Sequence, residues 1–138
     1  MKTKTINQNI LIKNTNPHEI YEIFMDSKKH AKLVNSSAVI NRNIGGKFQI
    51  YDGYISGKNV ELEQDKKIVQ DWRGEEDEWP KDHYSKLTII LDKTGSGTKI
   101  TLIQEEVPDK YYDNFYKGWY DFYWTPLQKM FEQTGKTV

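Results

Sequence analysis

The chain has no cysteine, which excludes disulfides and thiolate chemistry. It has no excess charge of either sign: Lys plus Arg number 20, and so do Asp plus Glu. Nucleic acid and anionic membrane surfaces both demand a positive excess, so neither is expected as a partner. Long hydrophobic runs are missing too. The N-terminal MKTKTINQNILIK is too polar for a signal peptide, and nothing approaches the ~20 apolar residues of a membrane span. A cytoplasmic location fits these absences. Hydrophobic residues make up only 36% of the 138, while aromatics reach 13%, so a few large rings must do much of the burial. This length suits one domain with a real core, expected to span residues 1–138.

Those rings concentrate near the C-terminus. The segment 111–133 carries Tyr112, Phe115, Tyr116, Trp119, Phe122, Tyr123, Leu127 and Met130 three and four residues apart, the spacing of one apolar helical stripe. Pro108 and Asp109 stand where such a helix would start. Its length would be roughly 35 Å at ~1.5 Å per residue, enough to lie across a whole sheet. Gly118 weakens it, and Pro126 removes a backbone hydrogen bond and predicts a kink near Phe122.

Upstream, Lys4 to Lys13 reads as a strand with Ile6, Ile10 and Ile12 on one parity and Gln8 interrupting them. Asn16-Pro17-His18-Glu19 has the form of a capped helix start, and Asp26 opens a second short helix through Val34. From Ser37 the period becomes two. Gly45-Gly46, Asp52-Gly53, 64–67 and 94–97 mark turns between strands. Tyr54, Ser56, Val60 and Leu62 are assigned to one parity, with a bulge at Gly57. Ile68, Gln70 and Trp72 share a parity, as do His83, Ser85, Leu87, Ile89 and Leu91, and then Ile100, Leu102 and Gln104. The order strand, two helices, about six antiparallel strands and a long helix defines an α+β domain, a curved sheet wrapped around its terminal helix.

Five motifs sharpen this reading: GGKF at 45–48, DGYISG at 52–57, KKIVQDWR at 66–73, WPKDHYSKLTIIL at 79–91 and GWYDFYWTPL at 118–127. Together, and in this order, they resemble the activator of heat-shock-protein-90 ATPase family, C-terminal-type domain, within the START-like, birch-pollen-allergen-like helix-grip superfamily. The resemblance implies a sheet of six to seven strands gripping the last helix. It also implies a chaperone-associated, stress-response role without catalysis, with an Hsp90-type chaperone as the partner. The eukaryotic co-chaperone carries a separate N-terminal domain that makes the main chaperone contact. None precedes Met1, so a chaperone-binding surface is expected rather than ATPase stimulation. Stand-alone relatives of the fold bind small apolar molecules between sheet and helix, which makes a carrier or sensor of a hydrophobic ligand the alternative.

No catalytic or metal-binding constellation stands out, and no cofactor is implied. His18, His30 and His83 lack ligand spacing, Gly95-Ser96-Gly97 suits a hairpin turn, and 75–78 suits a solvated acidic loop. Ser56, Gln70, His83, Ser85 and Gln104 fall on inward parity. They either pair with one another inside the core or orient a ligand. On the second reading Trp72, His83, Phe115, Trp119, Phe122 and Tyr123 wall a pocket, with Ser85 and Gln104 as polar contacts. His83 is the one candidate for a general base, without an evident carboxylate to orient it. Trp79, in a Trp-Pro within the acidic loop, either folds back as a lid or projects as a partner contact.

Overall fold

The computed structural model describes residues 1–132. Its centre is one seven-stranded antiparallel sheet. Strand β1 (Thr3–Lys13) is followed by helices α1 (Pro17–Met25) and α2 (Ser27–Val34). Then come β2 (Ala38–Ile40), β3 (Lys47–Ile50), β4 (Ile55–Glu63), β5 (Lys67–Gly74), β6 (Ser85–Lys93) and β7 (Gly97–Pro108). The spatial order is β1-β7-β6-β5-β4-β3-β2, so the first and second strands form the two edges. This is the helix-grip architecture that the alternation of strand parities and the terminal aromatic segment imply.

Local chemistry sets the element ends. Asn16 caps α1 by accepting the Glu19 N–H at 2.9 Å, and Glu19 returns a carboxylate to the Asn16 N–H at 3.0 Å. That is the reciprocal capping box, and Pro17 at the first helical position needs no N–H there. Asp26 caps α2 through the Lys29 N–H at 2.9 Å, and Asn35 ends it in the left-handed region at φ 54°. In β1, Ile6, Gln8, Ile10 and Ile12 alternate inward as a half-buried strand must.

Strand β4 departs from the expected parity. Its inward residues are Ile55 and Asn59, not Ser56 and Val60, and Val60 is exposed, while Tyr54 precedes the strand and packs against the core from the hairpin. The pairing with β5 slips between Asn59 and Glu61, so the bulge sits there and not at Gly57. Inserting one residue into one strand exchanges the faces beyond it, which returns Leu62 toward the core.

The C-terminal segment is helical but not one regular helix. A short 3-10 turn (Asp109–Tyr111) leads into α3 (Tyr112–Trp119), then a single π-helical turn (Tyr120–Trp124), then α4 (Thr125–Met130). The expected end at Gln133 lies outside the described residues. Pro126 has no N–H for the Phe122 carbonyl, and the ladder widens beside it, with the Thr125 N–H reaching Tyr120 O. At the entrance to this turn the Tyr120 N–H bonds to Lys117 O. The Gln8 amide of β1 donates to Tyr116 O at 2.9 Å, and its Oε1 accepts the Trp124 Nε1–H at 2.7 Å. The polar interruption in β1 thus serves the helix that crosses it. Trp119, Tyr123, Trp124 and Leu127 are buried, whereas Tyr116, Phe122 and Met130 are exposed, which corrects their assignment to the packed stripe.

Candidate binding pocket

The π turn and the β3–β4 hairpin face each other across a half-open cavity of about 430 Å3. One wall is the terminal helix, through Asn114, Phe115, Gly118, Trp119, Phe122 and Tyr123. The opposite wall is Tyr51, Tyr54 and Ile55 from the hairpin, with Trp72 of β5 and Glu76 of the following loop. The rings are in mutual contact. Trp72 meets Phe115 edge-on at 5.3 Å between centroids and lies 5.8 Å from Trp119, which is 4.8 Å from Tyr123. Phe115 comes this close to β5 because position 74 is glycine; a Cβ there would stand 2.8 Å from its ring.

Each polar group has a traceable origin. The hairpin turns through Tyr51 (φ 57°), Asp52 (φ 56°) and Gly53 (φ 93°), three left-handed residues in succession. That conformation is strained for a tyrosine and places its ring edge-on against Phe122 at 6.0 Å. The Tyr51 hydroxyl is buried without a hydrogen-bond partner, alone in this among the buried side-chain polar atoms of the described residues. Burial raises its pKa. The Tyr54 hydroxyl donates to the Glu76 carboxylate. Burial first, and that carboxylate second, push the Tyr54 pKa well up, so it remains a donor at neutral pH. Arg73 is buried beneath this loop. It donates to Pro80 O and Lys81 O, each at 2.7 Å, and to the Glu75 carboxylate at 2.9 Å, which fixes the backbone carrying Glu76. Among the described residues Glu76 is the one charged side chain in the lining.

Behind the helical wall, His30 of α2 is 3% exposed. Its Nδ1 lies 3.2 Å from Phe24 O, and its Nε2 lies 2.8 Å from the Tyr123 hydroxyl. A carbonyl accepts only, so Nδ1 carries the proton and Nε2 accepts from Tyr123. Burial drives the His30 pKa down to about 4, partly opposed by the Phe24 bond, so the ring is neutral at physiological pH. Desolvation also raises the Tyr123 pKa well above the ordinary phenol value. Tyr123 therefore keeps its proton directed at His30.

The structure brings Trp72, Phe115, Trp119, Phe122 and Tyr123 of the anticipated pocket residues to this cavity. It places the others elsewhere. Ser85 donates to Trp72 O at 2.8 Å and accepts from Gln104 Nε2 at 3.0 Å, while Gln104 Oε1 accepts the Trp119 indole N–H at 2.9 Å. This buried chain is complete in itself and holds Trp72 and Trp119 in place from behind. Gln70 likewise donates to Asn59 Oδ1 at 3.0 Å. His83 lies just before β6 and not on its inward parity. Its Nε2 donates to Glu106 O at 2.6 Å, and His83 is not among the residues lining the cavity, so the one general-base candidate does not reach it. Trp79 is 3% exposed, with its Nε1–H on His83 O at 2.8 Å and its ring against Trp72, Tyr111 and Phe115. It folds back into the core and does not project as a partner contact.

Sequence reasoning missed Tyr51, Tyr54, Glu76 and His30. The two tyrosines flank a turn dipeptide, and that adjacency was the available signal. Among the described residues no cluster of three or more His, Cys, Asp or Glu could hold a metal ion, and no helix is long and apolar enough to cross a membrane.

Residues 14–132 match the family described as Activator of Hsp90 ATPase homolog 1-like protein. The chain belongs to this family. Among curated members of the Hsp90 ATPase activators, it is 28% identical over 118 residues to the human homolog 1, covering 85% of this chain and 34% of that protein. It is 30% identical over 125 residues to the mouse homolog 2, covering 91% and 37%. It thus spans about a third of the length of these activators. Solved structures share the fold. An Hsp90 activator from Plasmodium falciparum superposes with a TM-score of 0.78 at 22% identity, covering 94% of this chain and 96% of that one. The Aha1 dimer from Colwellia psychrerythraea gives 0.72 at 16% identity, covering 86% and 90%.

Proposed function

We propose that this chain is a non-catalytic binding domain that engages an Hsp90-type chaperone in the cytoplasm, as the names of its relatives suggest for the longer proteins. The observation that carries this reading is the family match, which runs from Asn14 to Glu132 and includes every helix of the fold and all strands but the first. The test is ATP turnover by the Hsp90-type chaperone of the same organism, measured with increasing amounts of this chain, beside a direct binding measurement. Saturable binding, with or without a change in turnover, supports the reading. No complex at tens of micromolar and unchanged turnover sink it.

A second reading is favoured by the cavity: the domain carries or senses a small apolar molecule held between sheet and terminal helix. A volume of about 430 Å3 falls in the range of small-molecule sites, and a mostly aromatic wall with a few polar atoms is their usual composition. Titrating apolar compounds while following fluorescence of Trp72 and Trp119, both in the wall, tests it directly. The two readings are compatible, since a small molecule held in a cavity does not by itself exclude a protein partner on the surface.

A further inference from the structure

We propose that the cavity takes a compact organic cation, an alkylated ammonium group, held between its aromatic walls and the Glu76 carboxylate. The proposal rests on the second reading above and specifies the class of ligand. Three observations carry it.

First, the acidic loop leaves the carboxylate at the cavity without a cation. Glu75 pairs with Arg73 at 2.9 Å, and Glu78 pairs with Lys110. Among the described residues Glu76 takes part in no ion pair, and no Lys, Arg or His lines the cavity. Asp77 is exposed and lies outside the lining. Second, Glu76 is held in place. Its N–H donates to Gly74 O at 3.0 Å, its carbonyl accepts the Trp79 N–H at 3.0 Å, and the Glu75 N–H beside it donates to Tyr54 O at 2.7 Å. The Tyr54 hydroxyl donates to the carboxylate itself, which sets that carboxylate beside a ring of the cavity wall. Third, seven of the eleven lining residues are aromatic, and Ile55 is the one large aliphatic among them. Aromatic faces carry negative potential, which attracts a cation and offers an alkyl chain nothing comparable. Ring planes at 89° for Trp72 and Phe115, and at 71° for Tyr51 and Phe122, bound a rounded space rather than a flat slot. An alkylated ammonium suits that space. Its charge is spread over apolar groups, so it sheds water at lower cost than a bare ammonium, and Glu76 supplies the opposite charge that a partly desolvated cation requires. An anion would instead meet a like charge with no counter-ion in the lining.

The test uses three compounds with one ring and one head shape: phenyltrimethylammonium, tert-butylbenzene and benzenesulfonate, which are positive, neutral and negative in turn. Each is titrated at neutral pH and low salt against the full chain, its Glu76→Gln variant and an Asp77→Asn control. For the natural sequence, the cation is expected to bind about ten-fold more tightly than its neutral isostere, and the sulfonate more weakly than either. Glu76→Gln keeps the side chain's shape and an acceptor for Tyr54. It should weaken the cation several-fold and leave tert-butylbenzene unchanged, and the unchanged neutral compound shows that the wall is intact. Asp77→Asn removes the same charge from the same loop, outside the lining, and should hold the cation's affinity within about two-fold. The proposal is overturned, while the ligand-carrier reading stands, if the neutral compound binds as tightly as the cation or the sulfonate binds best. It is equally overturned if the cation-to-neutral ratio survives Glu76→Gln, or falls as far in Asp77→Asn. Should none of the three bind up to its solubility limit, the carrier reading falls and takes the proposal with it.

Discussion

Gln8 Oε1 accepts the Trp124 indole N–H at 2.7 Å, joining residues 116 apart in the chain. Both side chains are buried, and the same Gln8 amide donates to Tyr116 O. One side chain therefore satisfies a ring donor on the last residue of the π turn and a backbone acceptor just before the turn. Replacing Gln8 by Leu keeps the shape roughly but orphans both groups. The expected loss is about 3 kcal/mol of unfolding free energy, read from chemical denaturation. A loss below about 1 kcal/mol would mean the turn finds other partners.

His30 makes stability depend on pH. Its folded pKa, about 4, lies below the ordinary histidine value of 6.5 because burial penalises the charged ring. Between those values the unfolded chain binds the proton and the folded chain does not, so acid favours unfolding. The contribution is fully present above about pH 6.5 and is lost as pH falls toward 4, on the order of 3 kcal/mol in all. Denaturation midpoints between pH 7 and pH 4.5 should decline in the natural sequence and be flatter in His30→Gln. Equal slopes in the two proteins would remove His30 as the cause.

Gly118 lies in the last turn of α3, on the cavity wall, and a Cβ there would meet nothing nearer than a Phe122 ring carbon at 3.9 Å. Gly118→Ala is therefore expected to stabilise the protein by up to about 1 kcal/mol through helix propensity. Gly118→Phe should fill the space and abolish binding of any cavity ligand without unfolding the chain, which circular dichroism and the titrations above check together.

Gln104 has a different role from the one its parity suggests. It links Ser85 to the Trp119 indole and does not line the cavity. Gln104→Leu should cost about 2–3 kcal/mol of stability by leaving the indole N–H unmet. Any ligand affinity should fall only as far as Trp119 loses its orientation. A loss of ligand affinity in Gln104→Leu at unchanged stability would contradict this assignment.

The fold was largely legible because its signals are local. Asn16 and Glu19 define a cap within four residues, and the alternation of Ile6, Ile10 and Ile12 needs no knowledge of partners. The face of β4 was not legible, since the slip between Asn59 and Glu61 depends on pairing with β5. The site was half legible for a related reason. Aromatic residues at helical spacing identify a wall, but parity cannot tell a polar chain that closes on itself, such as Ser85–Gln104–Trp119, from one open to a ligand. His30 carried no signal because its partner, Tyr123, is 93 residues away. Tyr51 was hidden because its left-handed φ belongs to the backbone of the turn, which a tyrosine at that position does not announce.

The π turn at Tyr120–Trp124 acts as a phase slip. One helical residue corresponds to about 100° of rotation, so the stretch beyond the turn presents a different side from the one an uninterrupted helix would show. Two consecutive rings, Tyr123 and Trp124, consequently find separate moorings, one on His30 and the other on Gln8. Shortening this window by a single residue would yield a more regular rod able to keep only one of them. Its length should accordingly tolerate change less readily than the identity of its solvent-facing members, Tyr120 and Asp121.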